Sequence, residues 1–230
     1  MKEPNILLIG ASGGIGSQLA AKFNRDSVVL HYHRQHPECD FRCVSADIAD
    51  YPAVEKMVQQ AAEMLGSVDV LINAAGVSID GFLHKYSPDD WRSVIDTNLT
   101  GSFHLLRAVL PLMRAQRFGR IITMASVVYQ RPVLGTSSYS TSKAGLVGLT
   151  RTAAIENASF GITCNCIALG YFDAGMGARL PQELRDEISQ AIPMKRFGRV
   201  DELQRAIEFL IKTEYVTGQV ISLNGGLYMD

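Results

Sequence analysis

Residues 5–16 read NILLIGASGGIG, and this stretch decides the predicted fold. Its four aliphatic residues, 6–9, are typical of a strand buried on both faces of a parallel sheet. A glycine-rich turn follows, and the amphipathic stretch Ile15–Asn24 predicts a helix directly after it. Such a turn between a first strand and a helix lets backbone amides and the helix dipole face a pyrophosphate. The stretch therefore predicts a dinucleotide-binding unit, with a purely structural turn as the alternative.

Short apolar stretches alternate with longer amphipathic ones along the whole chain. The predicted strands are Asn5–Ile9, Ser27–Tyr32, Arg42–Ser45, Val68–Asn73, Arg120–Ala125, Thr163–Ala168 and Gln219–Leu223. The predicted helices are Ile15–Asn24, Pro52–Leu65, Pro88–Ala115, Ser140–Asn157, Pro181–Ile188 and Val200–Thr213. This alternation predicts an α/β fold, a Rossmann-type doubly wound parallel sheet of about seven strands that forms a single domain over residues 1–230.

The connection between the second and third predicted strands is unusually short. Residues 33–41 join the two strands, whereas a crossover between parallel strands usually takes about a dozen residues or more and contains a helix. The sequence therefore predicts a shortened connection from which the crossover helix is missing.

Charge and hydropathy exclude several classes of protein. Lys and Arg number 22 and Asp and Glu number 23, so the formal net charge is −1, and no long basic run marks a nucleic-acid binder. No stretch approaches the roughly 18 apolar residues of a membrane span. The apolar run near the N-terminus is too short for a signal peptide. We therefore predict a cytoplasmic protein that binds neither nucleic acid nor membrane.

Cysteine and histidine spacing gives no sign of a metal site. The four cysteines lack C-x-x-C spacing, which argues against zinc and thioredoxin-like sites and is compatible with a reducing compartment. His31, His33 and His36 are close in sequence but lack an obvious fourth ligand. No metal is predicted.

The end of the second predicted strand indicates which dinucleotide would bind. An NAD site usually has an acidic residue there for the ribose 2′-hydroxyl, but the first carboxylate after this strand is Glu38. His33 and Arg34 precede it, and together with Ser12 they could receive a 2′-phosphate. We therefore predict that NADP(H) is preferred over NAD(H); the alternative is that Arg34 is a solvated loop charge.

A tyrosine and a lysine four residues apart point to acid–base chemistry. Tyr139 and Lys143 stand at the start of a predicted helix, where this spacing puts both side chains on one face. A nearby ammonium would lower the pKa of the phenol, which could then exchange a proton with a carbonyl or alcohol oxygen. Ser126, at the end of the preceding strand, could bind the same oxygen. The alternative is that this common spacing lies on an ordinary helix surface.

These motifs, in this order, make the sequence resemble the short-chain dehydrogenase/reductase family over essentially its whole length. Asp47, the stretch Asn73–Gly76 and Asn98 also match landmarks of that family. The resemblance implies an NAD(P)-dependent oxidoreductase that acts on CH–OH or C=O groups.

The resemblance also implies a role for each matching residue. Tyr139 would be the general acid in reduction, and Lys143 would hold the nicotinamide ribose and lower the pKa of Tyr139. Ser126 would fix the substrate oxygen, and Asn98 would bind a water that links Lys143 to solvent. The implied catalytic residues are Asn98, Ser126, Tyr139 and Lys143. The implied cofactor-binding residues are Gly10, Ser12, Gly13, Gly14, Ile15, Gly16, His33, Arg34, Asp47, Ile48, Asn73, Ala74, Gly76, Tyr139, Lys143, Gly170 and Phe172.

Two residues after the sixth predicted strand depart from the family pattern. Most members carry proline where Leu169 stands and threonine where Ala174 stands. That threonine would bond the nicotinamide carboxamide, and losing one hydrogen bond costs about 1 kcal/mol. The backbone of Phe172 would still anchor the carboxamide.

Within the family the sequence is most similar to 3-oxoacyl-(acyl carrier protein) reductases. The stretches that carry this likeness are Gly119–Thr123, Gly161–Thr163 and Thr217–Met229. The likeness implies NADPH-dependent reduction of 3-oxoacyl thioesters of acyl carrier protein or CoA. Of two arginines that would receive the carrier, Arg117 is present and Phe160 replaces the other.

Two other functions remain open from the sequence alone. The substrate could be a sugar, a polyol or a quinone, because reductases of these compounds share the same motifs. A non-catalytic dinucleotide-binding regulator is the alternative of another class, although such a protein should lack part of the Ser–Tyr–Lys set. Enoyl reductases of the superfamily are disfavoured because they place six residues between the tyrosine and the lysine, where this sequence has three.

Two further expectations concern a lid and an assembly. Residues 174–199 surround a short predicted helix with glycines and prolines, and we expect them to form a substrate lid. In the predicted helices Pro88–Ala115 and Ser140–Asn157, apolar residues cover more of the helix surface than the one face that packs on the sheet. They would therefore pack on partner subunits in a homotetramer or homodimer.

Overall fold

The computed structural model describes residues 3–37 and 39–229, so Glu38 lies outside the described residues. The described residues contain one sheet of seven parallel strands in the order β3-β2-β1-β4-β5-β6-β7. The strands are β1 Ile6–Ile9, β2 Val28–Tyr32, β3 Arg42–Ser45, β4 Val70–Asn73, β5 Gly119–Ser126, β6 Ile162–Leu169 and β7 Val220–Leu223. The predicted doubly wound Rossmann-type sheet is therefore confirmed, with strand ends within two residues of the prediction.

Helices connect most of these strands and cover both faces of the sheet. They are α1 Gly14–Ala20, α2 Tyr51–Leu65, α3 Pro88–Ile95, α4 Gly101–Gln116, α5 Ser137–Asn157, α6 Gly175–Ala178, α7 Gln182–Ala191 and α8 Val200–Lys212. The first helix is shorter than the predicted Ile15–Asn24. Asn24 instead starts a separate 3-10 turn, because its side chain accepts a hydrogen bond from the Asp26 N–H.

Alternate residues of each central strand enter two separate apolar cores. Leu7 packs in one core with α2, α4 and α5, whereas Leu8 packs in the other with α1 and α8. Both side chains are fully buried. Continuous apolar strands are thus explained by cover on both faces.

The single predicted helix Pro88–Ala115 is wrong in one respect. Residues Asp96–Thr100 form one π-helical turn between α3 and α4. The side chain of Asn98 in this turn bonds to the backbone of Val77 on a neighbouring segment. Helical periodicity continues on both sides of such a turn, so hydrophobic spacing does not reveal it.

The short connection between β2 and β3 contains no helix in its described residues, 33–37 and 39–41. Nine extended residues reach about 30 Å, more than enough to return along a four-residue strand of about 13 Å. The space beside α1 is left as a cavity of about 340 Å³, lined by Ser17 and Ala20 of α1, by Ala21 just after it, and by Cys39 and Phe41 of the connection.

No helix among the described residues is long and apolar enough to cross a membrane.

Candidate active site

The candidate site lies at the carboxyl ends of β1, β4, β5 and β6. The chain crosses from β3 at one edge of the sheet to β4 beside β1, so the strand order changes direction between β1 and β4. Ligands of open α/β sheets bind in the crevice outside the carboxyl ends at such a point. The glycine-rich turn after β1 and Ser126 at the end of β5 both open onto this edge.

The glycine-rich turn is a tight cradle in which side chains would not fit. Gly10 has φ of 81°, in the left-handed region, and a Cβ there would lie 2.8 Å from the Ala75 nitrogen. A Cβ on Gly16 would lie 2.2 Å from the Gly10 oxygen. The N–H groups of Gly14 and Ile15, in the first turn of α1, have no partner within the helix. This backbone fits the phosphates of a dinucleotide.

The segment after β6 lies directly on this turn. A Cβ on Gly14 would be 2.4 Å from both the nitrogen and the Cα of Gly175, the first residue of α6. Ala174, which precedes it, is buried and makes no side-chain cap for α6. The start of the predicted lid therefore packs against Gly14 of the glycine-rich turn in this structure.

The residues predicted to receive a 2′-phosphate are exposed beside the turn. Ser12, His33 and Arg34 are all solvent-accessible. His33 Nε2 lies 3.7 Å from Asp47 Oδ2. In the described part of the chain Arg34 has neither a hydrogen bond nor an ion pair, so its guanidinium is available for an anion.

The predicted adenosine wall is held by its own hydrogen bonds. Asp47 Oδ1 accepts from the Ala49 N–H at 3.0 Å, and the Ile48 carbonyl accepts from His104 Nδ1 at 3.0 Å. Asn73 Nδ2 donates to Ser102 Oγ at 2.8 Å, and its Oδ1 accepts from the Ala75 N–H. Ala74 follows Asn73, and its N–H donates to the Ile9 carbonyl of β1. These bonds join the segment after β4 to the first strand and to α4.

Ser126 and Tyr139 come together at the end of β5. The Ser126 Oγ accepts from the Val128 N–H at 3.4 Å, and a hydrogen bond joins Ser126 to the Tyr139 hydroxyl. Burial raises the pKa of Tyr139, the hydrogen bond from Ser126 opposes this rise, and the negative charge of Asp80 adds to it. At neutral pH the phenol is therefore protonated.

The expected lowering of the Tyr139 pKa by Lys143 stays a prediction. Lys143 does lie on the same face, with its Nζ 5.5 Å from the centre of the Tyr139 ring. The net pKa of Tyr139 is raised, and burial is the largest cause of this rise. The four-residue spacing predicted correctly that Lys143 lies beside Tyr139, but it could not predict how deeply Tyr139 is buried.

Lys143 is itself almost fully buried, with 3% of its surface exposed. Its Nζ donates to the Met124 carbonyl of β5 at 2.7 Å. A Cβ on Gly76 would lie 3.3 Å from this Nζ, so the absence of a side chain at Gly76 leaves room around the ammonium. Burial lowers the pKa of Lys143 to about 8, while the nearby Cys166 opposes the fall.

Asn98 holds a neighbouring segment in place. Its Oδ1 accepts from the Val77 N–H at 2.8 Å, and its Nδ2 donates to the Val77 carbonyl and to Ser142 Oγ. Both amide hydrogens are thus used by protein atoms. Sequence reasoning missed Ser142, which lies one residue before Lys143 and ties α5 to the π turn; its only signal was its position inside the Tyr–Lys motif.

Gly170 and Phe172 lie just after the end of β6. The Gly170 N–H donates to the Leu223 carbonyl at 3.0 Å. Phe172 is bridged to Gly198, but the bonds of this bridge use the Tyr171 carbonyl and the Asp173 N–H. The bridge therefore does not use the backbone groups of Phe172, the residue predicted to anchor a carboxamide.

Sequence reasoning also missed a clamp between the loops that flank Tyr139. The Tyr86 hydroxyl donates to the Ile79 carbonyl at 2.5 Å and pairs with Ser138 Oγ at 2.8 Å. The Gly81 N–H donates to the Gly135 carbonyl at 2.9 Å. These contacts fix the segment after β4 against the start of α5.

The glycine-rich turn, the phenol of Tyr139 and the ammonium of Lys143 lie at the carboxyl ends of the strands. This arrangement is typical of dinucleotide-dependent oxidoreductases. A family model described as enoyl-(acyl carrier protein) reductase matches residues 10–228. The chain belongs to the short-chain dehydrogenase/reductase family. It is an NAD(P)-dependent oxidoreductase that acts on carbonyl or hydroxyl groups.

Three curated relatives extend over nearly the whole chain. The 3-oxoacyl-[acyl-carrier-protein] reductase FabG of Staphylococcus epidermidis is 36% identical over 97% of this chain and 98% of its own. The acetoacetyl-CoA reductase of Allochromatium vinosum is 35% identical over 97% and 98%. The nodulation protein G of Azospirillum brasilense is 32% identical over 99% of both chains.

Proposed function

We propose that this protein is an NADPH-dependent reductase of 3-oxoacyl thioesters, which it converts to 3-hydroxyacyl thioesters. The observation that carries the proposal is the grouping of Ser126, protonated Tyr139 and Lys143 beside the glycine cradle. The names of two relatives, a 3-oxoacyl-[acyl-carrier-protein] reductase and an acetoacetyl-CoA reductase, support this type of substrate.

The chain's own residues would supply a proton and hold the substrate. The nicotinamide, when bound, supplies the hydride. Tyr139 would donate its phenolic proton to the substrate oxygen, and the Ser126 hydroxyl would hydrogen-bond to the same oxygen. The raised pKa keeps Tyr139 protonated, as a proton donor must be. The ammonium of Lys143 would hold the ribose hydroxyls and stabilise the phenolate left after transfer.

The exposed guanidinium of Arg34 beside the turn supports a preference for NADPH. Arg34 is free of other partners in the described part of the chain, and a guanidinium matches phosphate oxygens in geometry and charge. Ser12 and His33 lie on the same side of the cradle and would add hydrogen bonds to the 2′-phosphate.

Apolar side chains around the site favour an acyl thioester over a sugar or polyol. Phe82 and Leu83 follow β4, and Val133 and Leu134 precede α5; Leu134 is 86% exposed. The Gly81–Gly135 hydrogen bond holds these two loops together beside Tyr139. An acyl chain would bury this surface, whereas a polyol would need polar partners there.

Arg117 and Phe160 precede the amino ends of β5 and β6, whereas Ser126 is at the carboxyl end of β5, about 25 Å away along an eight-residue strand. A carrier protein bound at Arg117 and Phe160 would therefore deliver its substrate to the site of another subunit. Arg114 and Arg117 lie near the Phe160 ring, at 4.0 and 5.7 Å from its centre, and keep positive charge there. We therefore propose that acyl carrier protein or CoA carries the substrate, and that the protein works as a homotetramer or homodimer.

Residues 174–199 are proposed as the lid, and residues 1–230 as one cytoplasmic domain. Gly175 lies against Gly14, so the start of this segment is already beside the cradle. The proposed lid would then close over cofactor and substrate together.

A substrate and cofactor panel, followed by NADPH absorbance, tests the proposal. We expect acetoacetyl-CoA and acetoacetyl-acyl carrier protein to be reduced faster than sugars or polyols are oxidised, with NADPH preferred over NADH. Faster oxidation of a polyol would replace the proposed substrate. Binding of NADPH without turnover of any carbonyl would support the non-catalytic alternative.

Arg34→Ala tests the cofactor preference. We expect the variant to lose about 1.5–3 kcal/mol of NADPH binding, roughly tenfold to a hundredfold, with little change for NADH. Arg92→Ala, an exposed α3 arginine paired with Asp89, is the matched control. An unchanged ratio of the two Kd values in Arg34→Ala would contradict the role of Arg34.

A further inference from the structure

His31 is a buried titratable residue that neither the fold nor the proposed chemistry explains. It lies near the carboxyl end of β2 with 2% of its surface exposed. The Gly10 N–H donates to His31 Nδ1 at 3.3 Å, and His31 Nε2 donates to the Ala46 carbonyl at 3.0 Å. One imidazole thus joins the first glycine of the phosphate cradle to the residue before Asp47.

These two bonds require one protonation state of the ring. Nδ1 accepts a hydrogen bond and therefore carries a lone pair, while Nε2 carries the hydrogen that it donates. An imidazolium has N–H groups at both positions, so it would direct a hydrogen at the Gly10 N–H. Only the neutral ring can make both contacts.

The backbone around the ring depends on the same contacts. Gly10 is in the left-handed region and packs on Ala75, and the Ala11 N–H donates to the His31 carbonyl at 2.9 Å. His31 thereby fixes the turn through its side chain and its backbone together.

We propose that neutral His31 is a positioning residue that holds the glycine cradle for the dinucleotide and releases it when the ring is protonated. The inference rests on the proposed function, because it assumes that the cradle binds NADP(H). Dinucleotide binding would then weaken at low pH because His31 becomes protonated, and not because the cofactor does.

The surroundings of His31 agree with a neutral ring. Burial lowers the pKa of His31 below its usual 6.5, the bond to Ala46 opposes this, and His33 and Asp47 act in opposite directions. The described α2 residues of the core beneath β2 and β3 are apolar, including Val54 and Val58. The cradle residues Gly10 and Ala11 carry no charge. His33 and Asp47 are thus the charged groups that must be considered with His31.

The experiment measures the Kd of NADH and of NADPH from about pH 5 to pH 8 by the change in reduced-nicotinamide fluorescence. NADH is the primary probe because it has no 2′-phosphate to titrate and no need of His33. Two variants separate the contacts. His31→Asn keeps an acceptor near the Nδ1 position, and His31→Gln keeps a donor near the Nε2 position; neither titrates.

For the wild type we expect the Kd of NADH to rise as pH falls below the ordinary histidine pKa of 6.5, toward a limit of about tenfold, the cost of about one lost hydrogen bond. His31→Asn should bind NADH nearly as well as the wild type at neutral pH and show a change below about twofold in acid. His31→Gln should bind weakly at every pH because Gly10 loses its acceptor. The exposed His36→Asn should keep the wild-type profile.

A wild-type pH profile that survives in His31→Asn would overturn the inference. So would an imidazole NMR titration in which His31 is protonated while the Kd of NADH stays constant. Failure of the proposed function would look different, since NADPH would then bind, or not bind, at all pH values without supporting reduction of 3-oxoacyl thioesters.

Discussion

At the scale of single residues, burial decides the acid–base properties of the site. Tyr139 and Lys143 are neighbours, as their spacing predicted, but each is shifted mainly by loss of water. The pKa of Tyr139 rises and that of Lys143 falls to about 8, so both groups move toward their neutral forms. The phenol of Tyr139 therefore stays protonated until a substrate oxygen accepts its proton.

Tyr139→Phe should lower kcat by about 10²–10⁴-fold, the range expected for loss of a proton donor. The Kd of NADPH should stay within about twofold, because the phenol ring and the fold are kept. NADPH oxidation with acetoacetyl-CoA and fluorescence titration give the two numbers.

Tyr215→Phe is the matched control, because this side chain is fully exposed. It should keep wild-type kcat. Full activity in Tyr139→Phe would remove Tyr139 from the chemistry.

Lys143 should give the pH–rate profile an alkaline limit near pH 8. Its folded pKa of about 8 lies below its ordinary 10.5, so the ammonium is present below about pH 8 and is lost as pH rises through that value. We expect kcat to fall about tenfold per pH unit above this limit, because only the ammonium can stabilise a phenolate.

Folding stability depends on the titration of Lys143 in the opposite direction to the rate. Between pH 8 and 10.5 the unfolded chain binds one more proton at Lys143 than the folded chain does, so this residue's contribution to the free energy of unfolding rises with pH. Lys143→Met should abolish activity and remove this slope in denaturant titrations. A rate that is constant up to pH 10 would disprove the assignment.

At the scale of elements, close backbone contacts position the site. The π turn Asp96–Thr100 brings Asn98 to Val77, and the glycine cradle meets Gly175 of α6. Neither contact is local in sequence, and each depends on an approach of two segments that periodicity does not describe.

Gly14→Ala should displace the start of α6 without harming α1. The new Cβ would lie 2.4 Å from Gly175, while alanine is a better helix former than glycine. We expect faster limited proteolysis within residues 174–199 and weaker NADPH binding, by about tenfold or more for one lost phosphate contact.

Gly148→Ala provides the comparison, since nothing lies within 4 Å of a Cβ at that position in α5. It should stabilise the protein by about 0.5–1 kcal/mol. Equal proteolysis rates in the two variants would show that Gly14 and Gly175 are not in contact in solution.

At the scale of the whole molecule, the sequence predicts the sheet better than the site. Aliphatic strands such as 6–9 and amphipathic helices such as Val200–Lys212 show their period directly, and both are found. Ser126, Tyr139 and Lys143 were identified by motif and spacing. The raised pKa of Tyr139, the π turn and the contacts of His31 arise from burial and from segments distant in sequence, and the hydrophobic pattern contains neither kind of information.

Assembly is the prediction that belongs to this scale. Ile155 on α5 is 83% exposed, and Phe103 on α4 is also exposed. If these helices form the subunit interface, Ile155→Glu should convert the oligomer to smaller species in analytical ultracentrifugation. Met64→Glu, which puts the same charge on α2, should leave the sedimentation coefficient unchanged. A wild-type monomer would contradict the proposed assembly.

The short connection between β2 and β3 also has a consequence for how the chain folds. Closing nine residues costs little chain entropy, whereas pairing β1 with β4 closes a loop of about sixty residues and costs more. Contacts that are near in sequence tend to form sooner. The β1-β2-β3 edge should therefore gain amide protection first in pulsed hydrogen exchange, before the strands that carry Ser126.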